Sequence, residues 1–94
     1  MSEATVQERT YEIVNTLGLH ARAAAQLVQV SQRFQAEVEV CKDDLAVNGK
    51  SIMGVLMLAA AKGTQIVVRT SGADAVSAME AIGELIRNGF WEEG

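Results

Sequence analysis

His20 and Arg22, two residues apart, follow Gly18 and open a run of strong helix formers, Ala21 to Leu27. The only histidine of the chain therefore stands at the entrance to a helix. The first backbone N–H groups there lack intrahelical acceptors, and the helix dipole is positive. Phosphoryl chemistry suits such a place. A neutral imidazole can attack phosphorus, and the anion it takes up meets donors already oriented. Arg22 adds a permanent positive charge. The other reading of these residues is a histidine that merely caps the helix or packs near its start.

Several elements must hold that histidine. Thr10 to Val14, with Tyr11 and Ile13 alternating against polar neighbours, predicts a half-buried strand, which the residues before Thr10 either extend or leave frayed. Ala21 to about Phe34 predicts a helix whose Ala21, Ala24, Ala25, Val28 and Ser31 share one face. Ala36, Val38 and Val40 alternate as a second strand, Lys42-Asp43-Asp44 supplies a turn, and Leu45-Ala46-Val47 returns as a third. Ser51 is the expected N-cap of a short helix through Leu56. Gln65 to Thr70 predicts a fourth strand, and Asp74 is expected to cap a last helix with Ala75, Ala78, Met79, Ile82, Leu85 and Ile86 as its apolar stripe. Asn88-Gly89 is its stop signal. The order βαββαβα requires helices over one sheet face, an α+β open-faced sandwich, but it does not fix the order of the strands. Ferredoxin-like domains share most of it.

Length and composition exclude several classes. Ninety-four residues make a single domain spanning 1–94 with one core. A net charge of −4 argues against nucleic acid as a partner. Cys41 is the only cysteine, so an intramolecular disulfide is impossible and a reducing compartment is the simpler expectation. One histidine and one cysteine cannot assemble the usual zinc ligand sets. The amino terminus has neither a basic start nor an apolar stretch, and the longest apolar run, Val55 to Ala61, is too short to span a bilayer. A cytoplasmic location without membrane insertion is expected. Gly49-Lys50-Ser51 imitates the end of a P-loop, but Asp44 stands where the required earlier glycine would fall.

Two separated motifs, GLHARAAA from Gly18 to Ala25 and NGKSIMGVLML from Asn48 to Leu58, resemble the HPr family of histidine-containing phosphocarriers of the phosphoenolpyruvate-dependent phosphotransferase system. The likeness covers about Thr10 to Phe90. It implies a four-stranded antiparallel sheet in the order 1-4-2-3 covered on one face by three helices. It also implies that His20 takes the phosphoryl group on Nδ1 from phospho-enzyme I and passes it to an enzyme IIA-type domain, with Arg22 stabilising the phosphate. Such a protein is a stoichiometric carrier and not an enzyme, works as a monomer, and needs neither cofactor nor metal. Ser51 matches a serine that a regulatory kinase/phosphorylase acts on in some members, although serine is an excellent N-cap regardless. Leu19, Ile52, Met53 and Leu56 match an exposed docking patch, with Arg22 and Lys50 as its positive rim; by spacing alone such apolar residues more often face inward.

The chain departs from the family pattern at Ala23, where proline is common, and at Leu17, where a small polar residue is common. Gln26, Gln29 and Gln32 stand where some relatives carry lysine, which weakens electrostatic steering. The tail Asn88 to Glu93 resembles a nitrogen-related branch, whereas the intact Lys50-Ser51-Ile52-Met53-Gly54 resembles the sugar branch. Two rivals stand beside the carrier: a ligand-binding module of ferredoxin-like architecture, which would not need His20, and a regulatory protein centred on Ser51.

Overall fold

A computed structural model describes residues 5–92. Its strands are β1 (Val6–Glu12), β2 (Glu37–Lys42), β3 (Leu45–Asn48) and β4 (Gln65–Ser71); its helices are α1 (Ala21–Gln32), α2 (Ile52–Met57) and α3 (Ala75–Arg87). All strand pairs are antiparallel and the sheet runs β1-β4-β2-β3. The fold is the α+β open-faced sandwich expected, and the strand order is the one the resemblance implied. Residues 1–4 and 93–94 of the single-domain assignment lie outside the described residues.

Alternation decides which side of the sheet is covered. Val38, Val40, Ile66, Val68 and Thr70 point to the helices and are buried, with Leu27 of α1 and Met79, Ile82 and Ile86 of α3 above them. The opposite side carries an ion triad across three neighbouring strands. Arg69 pairs with Glu8 at 2.8 Å and with Glu39, its register partners on either side. All three are exposed, so the triad serves solubility and register more than stability.

Three expectations change. The buried side of α1 is Ala23, Ala24, Leu27, Val28 and Ser31, with Ala21 exposed and Ala25 half-buried. The first strand spans Val6–Glu12, so the residues before Thr10 do extend it, while Ile13 and Val14 fall outside it. Val6, Glu8 and Arg9 continue the ladder to Ser71, Arg69 and Val68 without an alternating apolar pattern that periodicity could detect. At the other end Ile13 leaves the ladder yet stays fully buried, donating its N–H to the Thr64 carbonyl at 2.8 Å and accepting from Gly63 at 2.7 Å. Asp74 does not cap α3 with its side chain. Its carboxylate instead accepts from the Gln35 and Ala36 N–H groups at 2.9 and 2.7 Å, tying the entry of α3 to the entry of β2. The Gln35 N–H, then Ala36, hold the Asp74 carboxyl below its usual range.

Lysines finish two helices. Lys50 Nζ donates to the Phe34 carbonyl at 2.8 Å just past α1, and Lys42 Nζ donates to the Leu58 carbonyl at 3.1 Å at the end of α2.

Gly83 lets α3 lie against β1. A Cβ there would stand 2.3 Å from the Tyr11 hydroxyl and 2.9 Å from Arg87 Nη1. Tyr11 is buried and has little room to retreat. Gly83→Ala is therefore expected to lower Tm, because overpacking of about 1–3 kcal/mol outweighs a helix-propensity gain of about 1 kcal/mol. Removing the clashing oxygen with Tyr11→Phe should restore at least half of the loss in thermal melts. An equal loss in the double variant would contradict this packing.

Candidate functional site

The loop before α1 is fixed by its backbone. Asn15 closes a turn: its carbonyl accepts from the Gly18 N–H at 3.1 Å, and its Nδ2 donates to the Gly18 carbonyl at 2.8 Å. Gly18 has φ +67, and a Cβ there would lie 2.5 Å from the Ala60 carbonyl oxygen. Only glycine permits both the conformation and the approach. One residue on, the Leu19 N–H donates to that same oxygen at 2.8 Å, and the Leu19 side chain is buried at 4% exposure. His20 follows as the N-cap of α1 with extended backbone, and its carbonyl accepts from the Ala24 N–H at 2.8 Å. The imidazole makes no capping hydrogen bond to its own helix. With 28% side-chain exposure, it is available for chemistry at the surface.

The ring is met from the far end of the chain. Past α3, Gly89, Phe90 and Trp91 form a 3₁₀ turn in which all three have left-handed φ, +62, +57 and +60. Phe90 is 1% exposed and anchors the turn in the core, a burial worth about 1.5–3 kcal/mol. That anchor brings Glu92 over His20. Glu92 Oε2 pairs with His20 Nε2, and Glu92 Oε1 accepts from Asn15 Nδ2 at 3.0 Å. The pocket read from sequence as purely positive therefore contains a carboxylate. Nothing local signals this partner, 72 positions away. The Glu92 carboxyl is held below its usual range, first by the His20 ring, then by the Asn15 amide, with Arg22 adding a smaller attraction.

His20, Arg22, Glu92, Gln26, Leu17 and Trp91 line a cleft of 480 Å³. Arg22 is exposed, and the Leu17 and Trp91 side chains are 67% and 63% exposed beside it. A larger depression of 640 Å³ lies along β2, β3 and β4, with Glu37, Glu39, Lys50 and Arg69 in its walls. It holds neither the histidine nor a nucleophile paired with a base, so the smaller cleft is where the chemistry can occur. No group of three His, Cys, Asp or Glu among the described residues could hold a metal ion. No helix among them is long and apolar enough to cross a membrane.

The remaining predicted residues are placed unevenly. Ser51 caps α2, its Oγ accepting from the Gly54 N–H at 3.1 Å. Ile52 and Met53 are exposed at 41% and 67%, and Leu56 is half-buried against the core. Leu19 is not on a docking patch; the short loop carries it inward beneath His20. Nor do Arg22 and Lys50 form one rim. Lys50 reaches Phe34, two residues past the end of α1, whereas Arg22 sits in its first turn, a separation of about 18 Å along a twelve-residue helix. Since α2 begins near Gln32 and the chain after it meets Leu19 through Ala60, α2 runs antiparallel to α1. Met57, 65% exposed, is the last residue of α2, at the end from which the chain returns toward Leu19, and sequence reasoning missed it.

A carboxyl whose folded value is depressed contributes stability above its ordinary range and loses it as pH falls through the depressed value. The Glu92–His20 contact is expected to persist through the usual carboxylate range and open only in stronger acid. Trp91, the only tryptophan, reports the opening by fluorescence. His20→Ala should move that transition to higher pH. A transition that does not move would show that the ring is not what holds the carboxylate.

The chain is similar to known proteins over nearly its whole length. Residues 7–88 match the family model described as the PTS HPr component phosphorylation site. A phosphocarrier protein HPr from Neisseria meningitidis is 54% identical over 87 residues, covering 93% of this chain and 97% of that one. An HPr crystal structure from Thermoanaerobacter tengcongensis has a TM-score of 0.90 at 41% identity, covering 94% and 99% of the two chains. A second structure from that organism, described as an HPr dimer, has a TM-score of 0.75 at 39% identity and covers 98% and 100%. With a histidine at a helix start, a matching sheet order and similarity over nearly its whole length, the chain belongs to the HPr family, the phosphocarriers of the phosphotransferase system.

Proposed function

We propose that His20 is the residue that carries the phosphoryl group, loaded by phospho-enzyme I and unloaded onto an enzyme IIA-type domain, with Arg22 balancing charge on the transferred group. One observation carries this reading: the ring stands at the start of α1, partly exposed in a cleft with Arg22, and makes no cap to its own helix. In each transfer the Nδ1 lone pair forms a bond to phosphorus as the donor's bond to phosphorus breaks, and the reverse follows on the acceptor. No water or redox partner is required. Positioning and charge stabilisation supply the rate. The chain acts as one domain over 1–94, as a cytoplasmic, monomeric, stoichiometric carrier rather than an enzyme. It serves sugar uptake, nitrogen- or carbon-linked regulation, or both. Sedimentation at working concentration tests the monomer against a dimer such as the relative forms.

Incubation with enzyme I and phosphoenolpyruvate should give one acid-labile, base-stable phosphate per chain, absent in His20→Ala. Labelling that survives that substitution would overturn the assignment. Ser51 is the regulatory site in this reading. A phosphate there would add charge at the start of α2 and disturb the Gly54 cap. The expected sign is acid-stable, ATP-dependent label, lost in Ser51→Ala.

Docking falls to Ile52, Met53 and Leu56 of α2, extended by Met57 toward the cleft. Met53→Glu and Met57→Glu should both weaken transfer with the fold intact, Met57→Glu more strongly, by about tenfold in kcat/KM. Steady-state transfer from enzyme I, with circular dichroism as the fold control, checks the order. Equal effects would contradict the greater weight given to Met57, and absent effects would remove α2 from the interface.

A further inference from the structure

We propose that Glu92 is a positioning residue for phosphoryl transfer, holding the proton of His20 on Nε2 so that Nδ1 presents its lone pair to the incoming phosphorus. This rests on His20 being the phosphoryl carrier. An ionised carboxylate has no hydrogen to give and only accepts. Its contact with Nε2 therefore requires the ring to donate from that nitrogen. A neutral imidazole carries one N–H, so the lone pair is left on Nδ1. The second carboxylate oxygen is itself held by Asn15 Nδ2, whose other bond fixes the Gly18 carbonyl, so the acid and the histidine loop are clamped by one amide.

The same contact acts on charge. As Nδ1 forms its bond to phosphorus and the donor's bond breaks, positive charge develops on the ring. The Nε2–H stays where it is and donates to Glu92 more strongly, as the acid of a catalytic triad stabilises an imidazolium. No proton needs to move. On unloading, the protonated ring departs from phosphorus as a neutral imidazole with its proton still on Nε2.

The fold spends conformational energy to keep this acid in place. Left-handed φ values at Phe90 and Trp91 are unfavourable for side-chain-bearing residues. The turn is retained because Phe90 is seated in the core at one side and Glu92 is bound by His20 and Asn15 at the other.

Glu92→Gln keeps the size of the side chain and removes the charge. In ¹⁵N-labelled protein at a pH well above the ordinary imidazole range, the wild type should show His20 as a single tautomer with a slowly exchanging Nε2 proton. Glu92→Gln should lose that signal or average it. Loading by phospho-enzyme I should slow about tenfold in Glu92→Gln, in kcat, with KM for enzyme I unchanged. Wild-type loading with the tautomer unaltered in Glu92→Gln would overturn the positioning role. So would a wild-type proton on Nδ1. A loss of KM alone would assign Glu92 to docking and equally overturn it. Labelling that bypasses His20 altogether would instead defeat the carrier reading beneath it.

Discussion

Everything at the site depends on how Leu19 is held. Its amide hydrogen is bound by the Ala60 carbonyl and its side chain is sealed into the core. With residue 19 buried and the helix starting at residue 21, His20 is forced outward at the cap. Gly18 makes this possible, because any side chain there would collide with the same Ala60 oxygen. The histidine is thus positioned by backbone and by an apolar neighbour, leaving its own nitrogens uncommitted to the helix. A carrier needs that separation. Its reactive group has to be rigidly placed yet free to change its charge and its load.

The two ends of the described chain contribute to the same purpose from opposite sides. The loop after β1 delivers Asn15, Gly18 and His20; the turn after α3 delivers Phe90 and Glu92. Both ends are fastened to the core by a fully buried apolar residue, Ile13 in one case and Phe90 in the other. Between them, α2 returns the chain to Ala60 with its end capped by Lys42. The cleft is consequently a meeting of three segments distant in sequence, laid on a sheet whose register is fixed by its buried side.

Much of this was legible in the sequence, and the exceptions have physical causes. Strands β2 and β4 alternate cleanly because one face of each is buried, and α3 shows its stripe because one side meets the sheet. Ser51 was readable as a cap because its partner, Gly54, is three residues away. Asp74 is equally a favoured N-cap residue type, yet its two oxygens serve the Gln35 and Ala36 N–H groups, which are distant in sequence. Leu19 was assigned outward by resemblance to a docking patch, whereas its burial follows from a tertiary contact with Ala60. Lys50 and Arg22 share a charge sign but sit at opposite ends of α1. Glu92 could not be found by spacing at all, since only the folded turn at Phe90 brings it to the ring.

The most direct test of the account is whether His20 takes up the phosphoryl group, and on which nitrogen. ³¹P–¹⁵N coupling, measured on ¹⁵N-histidine-labelled protein after loading by enzyme I, reads this directly. The account requires coupling to Nδ1 with a proton retained on Nε2. A phosphorus coupled to Nε2, the nitrogen that faces Glu92, would contradict it.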